Sequence, residues 1–172
     1  MKNFFIQQMA MYSAYHMDTR NQITHYIGVP SIVISLFMLF SWIGLFTLNG
    51  IQVTFAMVFL AVILLFYLLS DLVIGVVAAI VFIPLLKMSA SLAPVADSNG
   101  WIWFAVLFVG GWIFQLVGHV FEGRKPALLD NLFQIFMAPG FLIAEALFHL
   151  GLHKKLRAEI GSHTAEYTVQ AS

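Results

Sequence analysis

The chain has 172 residues, 61% of them hydrophobic and 9% charged, with a formal net charge of zero and no cysteine. That balance, with a mean hydropathy of +0.92, is far more apolar than a soluble domain's, and the scattered Lys and Arg residues form no basic run suited to nucleic acid. Without cysteine, disulfides, iron–sulfur clusters, thiolate metal sites and a cysteine nucleophile are excluded, so any metal must take nitrogen and oxygen ligands.

The N-terminal stretch MKNFFIQQMAMYSAYHMDTRNQ is interrupted by polar residues and lacks a short apolar core with a cleavage site, so it reads as retained on the mature protein. The first apolar run covers residues 26–46, with Pro30 in its first turns, where proline costs a helix least. After the turn at Leu48, Asn49 and Gly50, a second run covers 51–69. A third covers 72–86 with a kink expected at Pro84. Residues 89–100, SASLAPVADSNG, read as a loop, and a fourth run follows over 101–121. The polar connection 122–131 carries Arg124 and Lys125. A final apolar run, 132–152, is interrupted by Ala138, Pro139 and Gly140, and the tail reads as a short basic helix that fades into a disordered end.

Runs of this length are long enough to cross ~30 Å of hydrocarbon. The expectation is an all-α integral membrane protein with four transmembrane helices plus a fifth apolar segment that is re-entrant or a fifth crossing. A single helix-bundle domain spans 1–157, followed by a flexible tail over 158–172. Basic residues prefer the cytoplasmic side, and four crossings put the group at Lys2 and Arg20 on the same side as Arg124 and Lys125. A fifth crossing would send Lys154, Lys155 and Arg157 outside, which favours a re-entrant hairpin broken at Pro139 and Gly140.

Polar residues in such helices are costly and face the bundle interior. On the fourth run, Gly111, Gln115, Gly118 and Glu122 fall within about 40° of one another, with His119 on the same side. Small and polar residues in a stripe serve helix packing, yet His119 and Glu122 at i and i+3 also present nitrogen and oxygen to one ion. Asn21, His25, Gly28 and Ser35 form a comparable stripe. His16 lies nine residues before His25, about 180° round and ~13.5 Å along an unbroken helix, so a shared site requires a break in MDTRN. Asp71 reads as a helix N-cap. Glu145, amid apolar residues, needs a partner, and it shares a face with His149 and His153. His16, His25, His119 and Glu122 thus gather at one membrane face, with Glu145 a further candidate; such ligands suit iron, zinc or manganese equally.

YSAYHMDTRNQITHYIGVP (12–30) and GWIFQLVGHVFEGRKPALLDNLFQIFMAPGFLIAEALF (111–148) resemble the Mpo1-like family, formerly a domain of unknown function. The resemblance implies a membrane dioxygenase that uses iron(II) and dioxygen to shorten 2-hydroxy fatty acids by one carbon. His16, His25 and His119 match the family's iron ligands, and Glu122 is a further ligand or a base beside them. Asn21, Arg20, Arg124 and Lys125 are candidates to bind the substrate at headgroup level. Eukaryotic relatives imply the endoplasmic reticulum; the short loops here suit a bacterial inner membrane, with the site on the cytoplasmic side. Zinc as a substitute metal, a lipid hydrolase, and a haem-binding or transport protein are the alternatives, and a homo-oligomer is compatible with each.

Overall fold

In a bilayer no water reaches the backbone, so long apolar segments must bond their N–H and C=O groups internally, and a helix does this within one segment. The computed structural model, which describes residues 1–92 and 98–168, follows that rule with seven helices and one short hairpin. In chain order these are α1 (Lys2–Ala14), α2 (Thr19–Ser41), β1 (Gly44–Leu48), β2 (Ile51–Thr54), α3 (Phe55–Ser70), α4 (Leu72–Leu92), α5 (Ser98–Glu122), α6 (Gln134–His149) and α7 (Lys154–Thr168). A 3₁₀ turn, Ala127–Leu129, lies between α5 and α6.

Helices α2, α4 and α5 are long and apolar enough to cross a membrane. At 16 residues, α3 is apolar but shorter than a full span. Helices α6 and α7 bend by 118° at their junction and make a fourth candidate only if they are taken together as one broken span. The expected four crossings plus a fifth segment are therefore three or four candidates. The difference starts at the end of α2, where the run expected over 26–46 stops at Ser41 and residues 44–54 fold into an antiparallel hairpin. Asn49 (φ 49°) and Gly50 (φ 80°) supply the two positive φ angles of its two-residue turn. Trp42 and Trp101 meet beside it at a tilt of 57° with centroids 4.6 Å apart, as suits a membrane–water boundary.

The expected loop over 89–100 is narrowed from both sides by α4 and α5, and its centre, 93–97, lies outside the described residues. Pro84 lies within α4, which runs on to Leu92. Asp71 caps α4 as expected, accepting from the Ile74 N–H at 3.0 Å. It also holds His153 at 2.9 Å, tying the α6–α7 corner to the α3–α4 turn.

The interruption at Pro139 and Gly140 does not end α6, which continues to His149; the sharp bend comes after it. Instead the Tyr67 hydroxyl enters the helix's hydrogen-bond ladder. It accepts from the Gly140 N–H and donates to the Phe136 carbonyl, the two groups that would otherwise bond each other. A Cβ at Gly140 would meet the Tyr67 ring at 2.9 Å, so the glycine is what admits it. Tyr67 is fully buried beside Phe5 of α1 and Met137 of α6 in the main core. The basic helix expected to fade continues as α7 to Thr168, buries Leu156 and Ile160, and pairs Glu159 with Lys2 at 3.0 Å. Residues 169–172 lie outside the described residues.

Candidate metal centre

The site depends on a break in the chain and a close helix contact. Helix α1 ends at Ala14 and α2 starts at Thr19, so the break a shared site requires covers residues 15–18 and takes in only the first two residues of the polar run MDTRN. Asp18 caps α2 by accepting from the Arg20 N–H at 2.8 Å. The chain reverses there, and the Nε2 atoms of His16 and His25, far apart on one helix, lie 3.0 Å apart.

Helix α5 then packs on α2 with little more than hydrogen atoms between them. A Cβ at Gly28 would stand 2.8 Å from the Gly111 carbonyl oxygen, and one at Gly118 would collide with Thr24 Oγ1 and Asn21 Oδ1. Next to Gly118, His119 is brought up to the other two imidazoles, with ring centroids 5.1 Å from both His16 and His25. Each of the three offers a nitrogen within 4.8 Å of the others. They are 4%, 2% and 7% exposed in chain order.

The hydrogen bonds fix which nitrogens are free. His16 Nδ1 donates to the Tyr12 carbonyl at 2.7 Å, and His25 Nδ1 donates to the Asn21 carbonyl at 2.9 Å. Burial, with His25 alongside, holds the His16 imidazole well below the usual histidine range, so it is neutral. Two neutral rings that both carry hydrogen on Nδ1 turn unprotonated Nε2 lone pairs toward each other. That contact is repulsive unless a cation lies against it. His119 Nδ1 is also buried with no hydrogen-bond partner among the described residues. Nitrogens ~2.0–2.1 Å from one ion and near a right angle are ~3 Å apart, so the pair fits a shared metal. A backbone carbonyl behind a ligating imidazole is the usual orienting partner. The same spacing is too close for a haem macrocycle clamped from both faces.

Glu122 is beside this cluster, but its carboxylate is taken up by the chain break. It accepts from the Met17 N–H at 3.0 Å, the Asp18 N–H at 2.8 Å and Asn21 Nδ2 at 3.0 Å. It thereby ties the end of α5 to the loop that carries His16. The expected substrate-binding cations are engaged too. Arg20 pairs with Asp18 at 2.7 Å, Arg124 donates to the Ala14 carbonyl at 2.9 Å, and Lys125 pairs with Asp130 at 2.6 Å. Glu145 does not join the three-histidine group; Tyr26 is its hydrogen-bond partner.

Two polar residues at the centre, Tyr12 and Gln134, were not singled out by sequence, and Gln115 was read only as part of the polar stripe on the fourth run. Tyr12 stacks flat on His16, with centroids 3.9 Å apart. Gln115 and Gln134 line the same cavity of about 90 Å³ as the histidines. Among the described residues Gln115 Nε2 and Gln134 Oε1 are buried without partners, although Gln134 Nε2 donates to Gln8 Oε1 at 2.8 Å. An amide inside an apolar run is itself a signal, because burying one costs free energy unless it is bonded.

Fold and site together define a membrane-embedded helix bundle with a buried three-histidine centre at the head of an apolar cavity. The chain belongs to the Mpo1-like family. Residues 2–150 match the family model described as 2-hydroxy-palmitic acid dioxygenase Mpo1-like. Over 155 residues the chain is 33% identical to the 2-hydroxy-palmitic acid dioxygenase MPO1 of Saccharomyces cerevisiae, which covers 89% of this chain and 85% of that relative. No solved structure matches it.

Proposed function

We propose that this protein is an iron(II)-dependent dioxygenase that shortens 2-hydroxy fatty acids by one carbon. The observation that carries the reading is the convergence of three buried imidazoles on one point, two of them 3.0 Å apart and oriented by backbone carbonyls. The yeast relative's name supplies the substrate class. The sum balances without an outside reductant: hydroxy acid and dioxygen give the shortened acid, carbon dioxide and water.

In this reading His16, His25 and His119 hold the metal. Iron(II) would supply the dioxygen binding and electron transfer that side chains lack. The remaining work belongs to the protein. Tyr12 and Asn21 carbonyls keep the Nδ1 protons of His16 and His25 in place, so both Nε2 atoms stay available. Glu122 fixes the loop behind His16. The unpartnered Gln115 amide is a donor for the substrate's carboxylate. The Tyr12 phenol, raised far above its usual range by burial, keeps its proton and offers a second donor. Val29, Ile32 and Trp112 close the cavity's sides and keep water from the reacting carbons. Arg20, Arg124 and Lys125 flank the α2 start and α5 end, which supports a centre at the cytoplasmic face.

The test is metal analysis of detergent-purified wild type, His25→Ala and His119→Ala after anaerobic iron(II) loading, with product masses from 2-hydroxyhexadecanoic acid. One iron per chain, lost in both variants, with oxygen-dependent formation of the 15-carbon acid, is the expected result. Tightly held zinc with no oxygen-dependent product would overturn it in favour of hydrolysis, and no bound metal would end the enzyme reading.

A further inference from the structure

Beyond the histidine cavity the structure holds a second, larger one of about 270 Å³. The two share Val33, Leu36, Ile135 and Pro139 as lining, so they are consecutive chambers along α2 and α6. Along α2 the lining advances from His25 through Val29, Ile32, Val33 and Leu36 to Phe37 and Phe40, one face followed turn by turn. The walls lose polarity along the way. Among the described residues that line the far chamber Tyr67 has the one polar side chain, and its hydroxyl is already committed to the α6 backbone. Phe40 and Phe59 meet edge to face at the far end, with centroids 5.2 Å apart.

We propose that the two chambers form one bore holding the substrate's acyl chain inside the bundle, with Phe40 and Phe59 as its floor, so that the protein selects by chain length. This rests on the reading of the histidine centre as the place where a hydroxy acid's head is held. From His25 to Phe40 is fifteen residues, or ~22 Å of helix. Carbon–carbon bonds of ~1.5 Å advance ~1.25 Å each along a zigzag, so the bore takes about 16–18 carbons.

A bore is needed because the substrate already dissolves in lipid. Transfer of an alkyl chain from bilayer to protein gains little hydrophobic free energy, so affinity cannot report its length. A closed end can, because a chain that overruns it must displace packed side chains. The opening in α6 contributes, since the Tyr67 wedge at Pro139 and Gly140 stands where the chambers join.

The experiment pairs a chain-length series with a positional label, using the full-length protein in detergent. Oxygen-dependent turnover is measured for 2-hydroxy acids of 8 to 22 carbons in wild type, Leu36→Trp and Phe59→Ala. Filling the junction with Leu36→Trp is expected to cut kcat/KM for the 16-carbon acid about tenfold or more. The 8-carbon acid, which stops short of Leu36, should change by less than about twofold. Phe59→Ala should move the longest accepted chain upward, an effect that misfolding cannot imitate. In parallel, 2-hydroxyhexadecanoic acid with a terminal diazirine is photolysed on the protein, and the label is expected on α2 and α3 around Phe40, Phe59 and Ile63. A label on lipid-facing residues such as Val62 or Ile80, or an unchanged length profile in Phe59→Ala, would overturn the bore. A label at Phe40 and Phe59 with no turnover of any acid by wild type would support the bore and sink the dioxygenase reading instead.

Discussion

Glu122→Gln separates a residue that holds the centre in shape from one that binds the metal. The carboxylate accepts three N–H groups, those of Met17, Asp18 and the Asn21 amide, at 2.8–3.0 Å. Glutamine keeps the outline but loses the charge and turns one acceptor end into a donor. At least one of the three donors then faces an N–H. Hydrogen bonds to charged groups contribute about 1.5–3 kcal/mol and neutral ones about 0.5–1.5. Weakening three at a site partly open to water therefore costs about 1–2 kcal/mol, much of it in the ordering of the His16 loop. That corresponds to roughly a tenfold loss of metal affinity, the low end of what removing an orienting partner does. The assay is anaerobic cobalt(II) titration in detergent, with the ligand-field bands read for wild type, Glu122→Gln and His119→Ala. Glu122→Gln should bind one equivalent about tenfold more weakly with bands unmoved, and His119→Ala should lose the bands. Shifted bands in Glu122→Gln would make the carboxylate a ligand, and unchanged affinity would show that the loop is held without it.

Gly118→Ala drives a methyl into Thr24 and Asn21 across the α2–α5 contact; a cost of about 1–3 kcal/mol should appear as a lower melting temperature in detergent and weaker cobalt binding, and an unchanged melt would mean the helices separate freely. Tyr67→Phe leaves the Gly140 N–H and Phe136 carbonyl unpaired in the core, for about 1–3 kcal/mol of stability; faster hydrogen exchange confined to α6 is the signature, and uniform exchange would refute the wedge. For Asp18→Asn the sign follows from the pKa: hydrogen bonds from Arg20 pull the Asp18 carboxyl down to about 2 from 3.8. Its contribution is complete above about pH 4 and lost as pH falls through about 2, so the melting gap to wild type should be flat at neutral pH and close only in strong acid. A gap that closes near neutrality would assign it to another group.

Much of this protein was determined by its sequence alone. Composition settled the membrane class, since apolar runs of this length have no other stable setting. Spacing dictated that His16 and His25 could meet only across a break, and the chain has one at residues 15–18, where the polar run MDTRN begins. Asp71 declared itself an N-cap by its place between two apolar runs. Other features were legible but concealed: Asn49-Gly50 is a hairpin signal, hidden because the flanking Leu, Phe, Ile and Val residues also prolong a membrane helix. Only the tertiary structure decided the rest. Glu122 and the three cations took partners more than a hundred positions away or only a few, a choice that no local pattern records. Gln134 became a cavity group because packing of the whole chain turned it inward. Pro139 and Gly140 read as a chain break, yet α6 continues through them, because a tyrosine hydroxyl from α3 bonds the backbone groups that a break would have left unpaired. Periodicity shows which face a residue occupies; which other face comes to meet it is set by packing of the whole chain.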